Sequence, residues 1–286
     1  MIVLEGGVFV AGSDRHYPEE SPLRTVRLAP FALDATPVTN AQFAAFVAAT
    51  GYVTLAETIP SAADYPGLLP EMEVAGSIVF ARPDPRRPLV PESWWSYVAG
   101  ANWRHPYGPE MDGAFRPDHP VVHVAYQDAA AYAEWAGKRL PTEDELEFAA
   151  RAGLENTEYA WGDDLIPSEG VPANFWYEGF PSSHPERRGP PYTSAVTHYP
   201  ANPWGFHDLI GNVWEWTASD ADGAPGNNGC CLGRAEVARK GLQHRKVLKG
   251  GSHLCAPNYC RRYRPAAKWL QPVDTATSHI GFRCAR

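Results

Sequence analysis

The 286-residue chain lacks an excess of positive charge: 25 Lys and Arg face 33 Asp and Glu, a net charge of −8. A nucleic-acid binder needs a cationic face to displace counterions from phosphates, so that class is excluded. No apolar run approaches the roughly 20 residues of a membrane-spanning helix, and no membrane partner is expected. The opening MIVLEGGVFVAGSDRHYPEE has no basic leader followed by an apolar stretch, which reads as a cytoplasmic chain without a signal peptide. Cysteine is sparse. Cys230, Cys231, Cys255, Cys260 and Cys284 form an odd set crowded into the last quarter, which is not a disulfide framework for a chain this size. No repeat of fixed period and no interdomain linker stands out, so residues 1–286 are expected to form one domain. What abounds is 28 Pro and 25 Gly beside 10 Trp. The aromatics exclude a disordered chain, and the helix breakers exclude a helix bundle. The expectation is a single α+β domain, irregular and loop-rich, with short strands and a few short helices.

Three helices are signalled. Thr39 with Gln42 forms a capping box ahead of Phe43, Phe46 and Val47, and Gly51 marks a stop. From Asp128 to Ala136, Ala129, Tyr132, Ala133 and Ala136 share one stripe, closed by Gly137. Thr142 with Glu145 forms a second box, opening a helix through Leu146 and Ala149 to Ala152, before Gly153. Strands are expected over Gly7–Ala11, Thr25–Leu28, Val121–Ala125 and Lys246–Lys249. Regions 53–118 and 155–207 carry few periodic signals and are read as long irregular segments, of the kind used for binding or pinned by metal ions.

The most informative run is Lys249-Gly-Gly-Ser-His-Leu-Cys-Ala-Pro-Asn-Tyr-Cys260. Two thiols five residues apart point to opposite faces of a strand and diverge on a helix. They converge only if the chain reverses between them, and Pro257-Asn258 has the chemistry of the two central turn positions. Convergent thiols have three outcomes: a disulfide, a soft-metal site or inert burial. With no third Cys in the run, the metal outcome favours Cu(I), which accepts few ligands, over Zn(II), which takes four.

That segment resembles the catalytic segment of the formylglycine-generating enzymes, the sulfatase-modifying factors. The matching residues are Gly250-Gly251-Ser252, Cys255, Cys260, Arg262-Tyr263-Arg264 and Gly281-Phe282-Arg283-Cys284. Further matches run along the chain, among them Asn102-Trp103-Arg104-His105-Pro106, Gly137-Lys138-Arg139-Leu140-Pro141-Thr142-Glu143 and Gly211-Asn212-Val213-Trp214-Glu215-Trp216. The last two runs mark the fold, a C-type-lectin-like α+β body, and occur in non-catalytic relatives as well. The two cysteines carry the activity reading.

The resemblance implies a copper-dependent oxidoreductase that converts a cysteine of a sulfatase polypeptide, in a Cys-x-Pro-x-Arg-like motif, to formylglycine with O₂. Cys255 and Cys260 would hold Cu(I), leaving room for the substrate thiol; Ser252, Tyr259 and Trp214 would support by hydrogen bonding, packing and exclusion of water. It also implies calcium held in the irregular loops: one site from Asp208, Gly211, Val213 and Glu215, a carboxylate and carbonyl set suited to a hard cation. A second site would use Asn174 and Phe175, with further ligands in 182–191, where no Asp stands at the matching place. Departures from the family pattern are His279 for Asn, Lys268 for Arg, and Pro272-Val-Asp-Thr-Ala276 for a Thr-Pro-Asp-Ser-Ser stretch. They fall in the part expected near substrate and leave the target peptide open. Two alternatives stand beside this reading: the same chemistry on a different peptide or small thiol, and a non-catalytic, calcium-stabilised binding domain.

Other residues have simpler readings. His119 and His123 are read as structural hydrogen-bonding residues, and Arg261, Arg262 and Arg264 as partners of carboxylates. Cys230 and Cys231 are read as incidental thiols, Cys284 as a buried apolar residue, and Trp94, Trp95 and Trp103 as packing aromatics.

Overall fold

The structure is a computed structural model. It describes residues 1–286 except 64, 85, 87, 89, 112–114, 156, 184–191 and 222–243. In chain order the strands and helices are β1 (Ile2–Leu4), β2 (Gly7–Ala11), β3 (Arg24–Leu28), β4 (Phe31–Leu33), α1 (Asn40–Thr50), β5 (Gly76–Phe80), β6 (Trp95–Ala99), α2 (Tyr126–Trp135), α3 (Glu143–Arg151), β7 (Trp214–Asp220), β8 (Arg245–Lys249), β9 (Lys268–Pro272) and β10 (Ile280–Gly281). Among the described residues no helix is long and apolar enough to cross a membrane.

Local chemistry sets the helix ends. Thr39 Oγ1 accepts from Gln42 N and Gln42 Oε1 accepts from Thr39 N, so α1 opens on a reciprocal cap; Gly51 closes it in the left-handed region at φ 67°. Thr142 and Glu145 do the same for α3, which ends one residue earlier than the sequence suggests, with Ala152 itself left-handed at φ 46°. Helix α2 begins two residues before the expected Asp128. Ala125 has no side-chain acceptor, so Asp128 caps alone, reaching back to Ala125 N at 2.8 Å. The same buried carboxylate accepts from Tyr52 Oη and Leu55 N, tying the chain after α1 to α2.

One four-stranded sheet, ordered β10-β7-β8-β9, carries the site; β10 runs parallel to β7 and the other pairs are antiparallel. Three two-stranded pairs, β1-β4, β2-β3 and β5-β6, surround it. The expected strand Val121–Ala125 is not one. All five of its residues are buried and His123 sits at φ 59°, outside strand geometry. The segment's amides bond singly to separated partners instead, Val121 N to Val38 O and His123 N to Thr277 O. The region 53–118, read as irregular, contains the β5-β6 hairpin, whose two arms are joined by a Pro-rich connection.

The main core gathers Phe43, Phe46, Tyr132, Trp216, Tyr263 and Phe282 between the helices and the sheet, and Cys255 belongs to it. A second cluster unites Phe80, Trp94, Trp176, Phe180 and Tyr192 with Leu254 and Ala256. The segment carrying the cysteines is thus wedged between two aromatic bodies. Packing fixes it from both sides.

His123 joins these parts. Its Nε2 donates to the Pro106 carbonyl at 2.8 Å and its Nδ1 lies 2.8 Å from Ser77 Oγ on β5. Burial without a counter-charge lowers its pKa from 6.5 to about 4. A histidine depressed in the folded state contributes stability that is present above pH 6.5 and lost as pH falls toward about 4. The span corresponds to about 3 kcal/mol. Chemical denaturation across this range is expected to show that loss, with a shallower pH dependence in His123→Gln at a lower overall stability. A wild-type profile flat from neutral pH to pH 4 counts against the depressed histidine.

Candidate active site

Strand β8 ends at Lys249, and Gly250 and Gly251 follow at φ 91° and 72°. A Cβ on Gly251 would lie 2.5 Å from the Arg262 carbonyl oxygen, so the two ends of the cysteine segment approach as closely as they do only with glycine there. The chain then reverses over Ala256–Tyr259 with Pro257 and Asn258 at the centre. Tyr259 N and Cys260 N both donate to Ala256 O, and Ala256 N donates to Cys260 O. The reversal brings Cys255 Sγ and Cys260 Sγ to 3.3 Å. Both thiols are free, neither bridged nor drawn apart.

The two sulfurs differ. Cys255 is fully buried; desolvation and the hydrogen bond with Cys260 push its pKa well above an ordinary thiol. Cys260 is half-buried, and its thiol is held below the ordinary value, first because Cys255 donates to the Cys260 thiolate and then because the Arg262 guanidinium stands beside it. Ser252 turns its amide to Cys255 Sγ at 3.4 Å, and its hydroxyl accepts from Leu254 N, so it shapes the loop as well as solvating the sulfur. Tyr259 stacks on Phe180 with ring centroids 4.7 Å apart and meets the edge of Trp94 at 5.4 Å, an aromatic wall beside the reversal. Trp214 is buried at the start of β7 in the same core as Cys255. A pair of sulfurs with few competing ligands suits a soft monovalent cation.

Two of the three basic residues after Cys260 are paired, as expected, with carboxylates, here from the far end of the chain, whereas Arg261 has the Tyr159 and Tyr263 hydroxyls as its neighbours instead. Arg262 bonds Glu19, and Arg264 makes a bidentate pair with Glu20 at 2.6 and 2.7 Å. Sequence spacing gave no sign of these partners, because the two ion pairs join segments more than 240 residues apart.

The oxygen-ligand residues other than Glu215 precede β7 and lie against the cysteine segment, with Gly211 N donating to Gly250 O and His253 N to Asn212 O. Asp208 and Asn212 are left-handed at φ 52° and 58°, and a Cβ on Gly211 would meet the Asn174 carbonyl at 2.5 Å. Asn212 ties the group together: its Nδ2 donates to Asp208 Oδ2 and its backbone N to Asn174 O. The two expected calcium groups are therefore adjacent. Asp208 Oδ1 and Asn174 Oδ1 are each buried without a hydrogen-bond partner, and burial raises the Asp208 pKa to about 7. Unpaired buried oxygens are costly, and a hard cation would satisfy them. Glu215 is different: both its oxygens already accept from Arg283, at 2.7 and 2.8 Å. Phe175 stacks on Tyr263 at 4.7 Å, and most of 182–191 lies outside the described residues, as do Cys230 and Cys231. Among the described residues no group of three or more His, Cys, Asp or Glu converges as a metal cluster.

His119 Nδ1 bonds Thr193 Oγ1, apart from His123 and its partners. His279 bonds Thr277 Oγ1 and packs against Trp95, its centroid 5.0 Å away. Lys268 reaches Glu143 on α3 at 2.9 Å, and Asp274 accepts from Tyr65. Cys284 is buried, and desolvation raises its pKa to about 12.

A sequence profile described as the sulfatase-modifying factor enzyme 1-like domain matches residues 1–286. A formylglycine-generating enzyme of Mycobacterium tuberculosis is 49% identical over 293 residues, covering 99% of this chain and 96% of that protein. An inactive C-alpha-formylglycine-generating enzyme 2 of Bos taurus is 35% identical, covering 100% of this chain and 87% of that protein. Among solved structures, PvdO from Pseudomonas aeruginosa superposes with a TM-score of 0.60 at 24% identity, covering 99% of this chain and 92% of that one, a likeness of fold.

The asymmetry of the sulfurs has a direct readout. Metal-free, reduced protein treated with iodoacetamide is expected to be alkylated at Cys260 at least about tenfold faster than at Cys255, since thiolate character and access both favour Cys260. The Cys260 rate should reach half its maximum below the pH of an ordinary thiol. Peptide mass mapping follows both sites, and equal rates would contradict the geometry.

Proposed function

This chain belongs to the sulfatase-modifying-factor family, and from that premise we propose that it is a formylglycine-generating oxidase, using copper and O₂ to convert a cysteine of a sulfatase polypeptide to the aldehyde. The observation that carries the reading is the pair of reduced sulfurs 3.3 Å apart on one tight reversal. Family membership alone does not, since the bovine relative named as inactive belongs to the same family. The dithiol is a chemical capability of this chain.

Cys255 and Cys260 would hold Cu(I) as thiolates, and two protein ligands leave a position open where four would close it. Bound there, copper supplies the one-electron chemistry with O₂ that no amino-acid side chain provides. The chain's own part is to bind and exclude. Burial of Cys255 pushes its thiol up in the metal-free state, and Cys260, the less buried of the two, is the sulfur an incoming thiol would meet. The Tyr259–Phe180–Trp94 wall keeps water from one side of the reversal. The substrate thiol would lose two electrons and two protons, one proton from its carbon and one from its sulfur, and O₂ would take them up at the peroxide level; water would then replace sulfur, releasing hydrogen sulfide and leaving the aldehyde.

Calcium in the Asp208 and Asn174 groups would act structurally. The two unpartnered buried oxygens support this, and the donors would be Asp208, Asn174 and the carbonyls of Gly211, Val213 and Phe175. Glu215, held by Arg283, would contribute by its free lone pairs or orient the shell.

Protein loaded anaerobically with Cu(I) and then exposed to air with a Cys-x-Pro-x-Arg peptide is expected to produce the mass loss that accompanies replacement of a thiol by an aldehyde. Cys255→Ser and Cys260→Ser should each lower the rate by about 10³-fold or more, the size typical when one member of a catalytic unit is removed. Retained copper without turnover of such peptides would select a different peptide or small thiol; no retained copper would select a non-catalytic domain. For calcium, saturation at about 100 times Kd should raise Tm by about 5–10 °C, and Asp208→Ala should abolish the rise. Calorimetry with and without chelator measures it, and an unchanged Tm on chelation would remove the structural calcium.

A further inference from the structure

Arg262 is anchored along its edges and over its ring system. Its Nε donates to Glu19 Oε1 at 3.2 Å and its Nη2 donates to the same oxygen. The guanidinium carbon lies 3.7 Å from the centre of the Tyr17 ring and 4.5 Å from that of Trp269. Tyr17 is itself fixed, its hydroxyl accepting from Arg261 N. What remains of the fork, Nη1, faces Cys260 Sγ at 3.8 Å. An arginine side chain loses much rotamer freedom when held this way, and here a carboxylate and two aromatic faces together compensate. The neighbouring pair, Arg264 with Glu20, is anchored at least as firmly, and among the described residues its hydrogen bonds go to Glu20 and the Arg261 carbonyl and not to sulfur. One of two parallel ion pairs is therefore aimed at the dithiol and the other is not.

We propose that Arg262 is the fixed counter-charge of the dithiol centre and that Glu19, with Tyr17 and Trp269, is the positioning apparatus that keeps it there. Two thiolates sharing one monovalent cation carry a net charge of −1, and the guanidinium stands beside Cys260, the less buried of the two sulfurs. Glu19 lowers the net charge of the pair but orients the fork; without it the side chain is free to leave the sulfur. Lysine would keep the charge and lose the fork, because an ammonium cannot hold Glu19 and face the sulfur with the same planar geometry. This inference rests on the dithiol being the working centre, and it concerns residues that act on the sulfurs rather than on substrate.

The test compares Arg262→Gln, Arg262→Lys, Glu19→Gln and, as a control, Glu20→Gln, in the full chain. Two readouts are taken: Cu(I) affinity by anaerobic competition with a chromogenic chelator, and the iodoacetamide rate at Cys260 in metal-free protein. Arg262→Gln is expected to weaken Cu(I) binding by about 10–100-fold, the usual effect of removing a residue that supports a metal ligand, and to slow alkylation. Arg262→Lys and Glu19→Gln should fall between it and wild type. Glu20→Gln should lower Tm while leaving both readouts at the wild-type value. Wild-type affinity and reactivity in Arg262→Gln overturn the inference, as does a Glu20→Gln variant that matches Arg262→Gln in both. If Arg262→Gln does not fold, unchanged readouts in Arg262→Lys and Glu19→Gln together overturn it. If wild type retains no copper yet Cys260 reactivity still depends on Arg262, the copper reading falls and this inference stands.

Discussion

Two sulfur atoms 3.3 Å apart repel as a pair of anions and bridge as a pair of radicals; they persist as a dithiol because one keeps its proton and donates it to the other. That unequal sharing is the constraint around which the molecule is organised. Enclosure in the main core pushes the Cys255 thiol up, and the hydrogen bond from Cys255, followed by the nearby Arg262 guanidinium, holds the Cys260 thiol below its ordinary value. The packing of Tyr263 and Phe282 on one side and of Leu254 and Ala256 on the other therefore has an electrostatic consequence: it sets which sulfur is charged.

The oxygen-rich region shows the complementary logic. Positive φ angles at Asp208 and Asn212 and the close approach at Gly211 aim carbonyl and carboxylate oxygens into a buried space that hydrogen bonds only partly satisfy. Strained backbone around unsatisfied oxygens is uncommon unless something compensates for it. Glu215 and Arg283, paired in the interior beside this group, join the strand that follows it to the C-terminal segment.

Features written in short-range chemistry were legible in the sequence. The capping boxes at Thr39 and Thr142, the reversal at Pro257-Asn258 and the glycines before the cysteines each depend on a few adjacent residues, and each appears where those residues dictate. Features that depend on distant partners were not. Val121–Ala125 has the composition of a strand, but its amides find Val38 and Thr277 rather than a neighbouring ladder. The β5-β6 hairpin escaped because Pro-rich sequence separates arms whose pairing is settled by packing against the second aromatic cluster. The partners of Arg262 and Arg264 escaped for the same reason, and so did the capture of Glu215 by Arg283.

The Glu19–Arg262 bond joins positions 243 residues apart. A contact of that span forms only after nearly the whole polypeptide has been synthesised and its two extremities have met, and closing so large a loop is slow. Cys260 and Arg262 stand two residues apart, so the bend and its cation are made together; what Glu19 adds from the other end is the fixed direction of the guanidinium. The long-range contact thus lends aim to a charge that the local sequence already supplies.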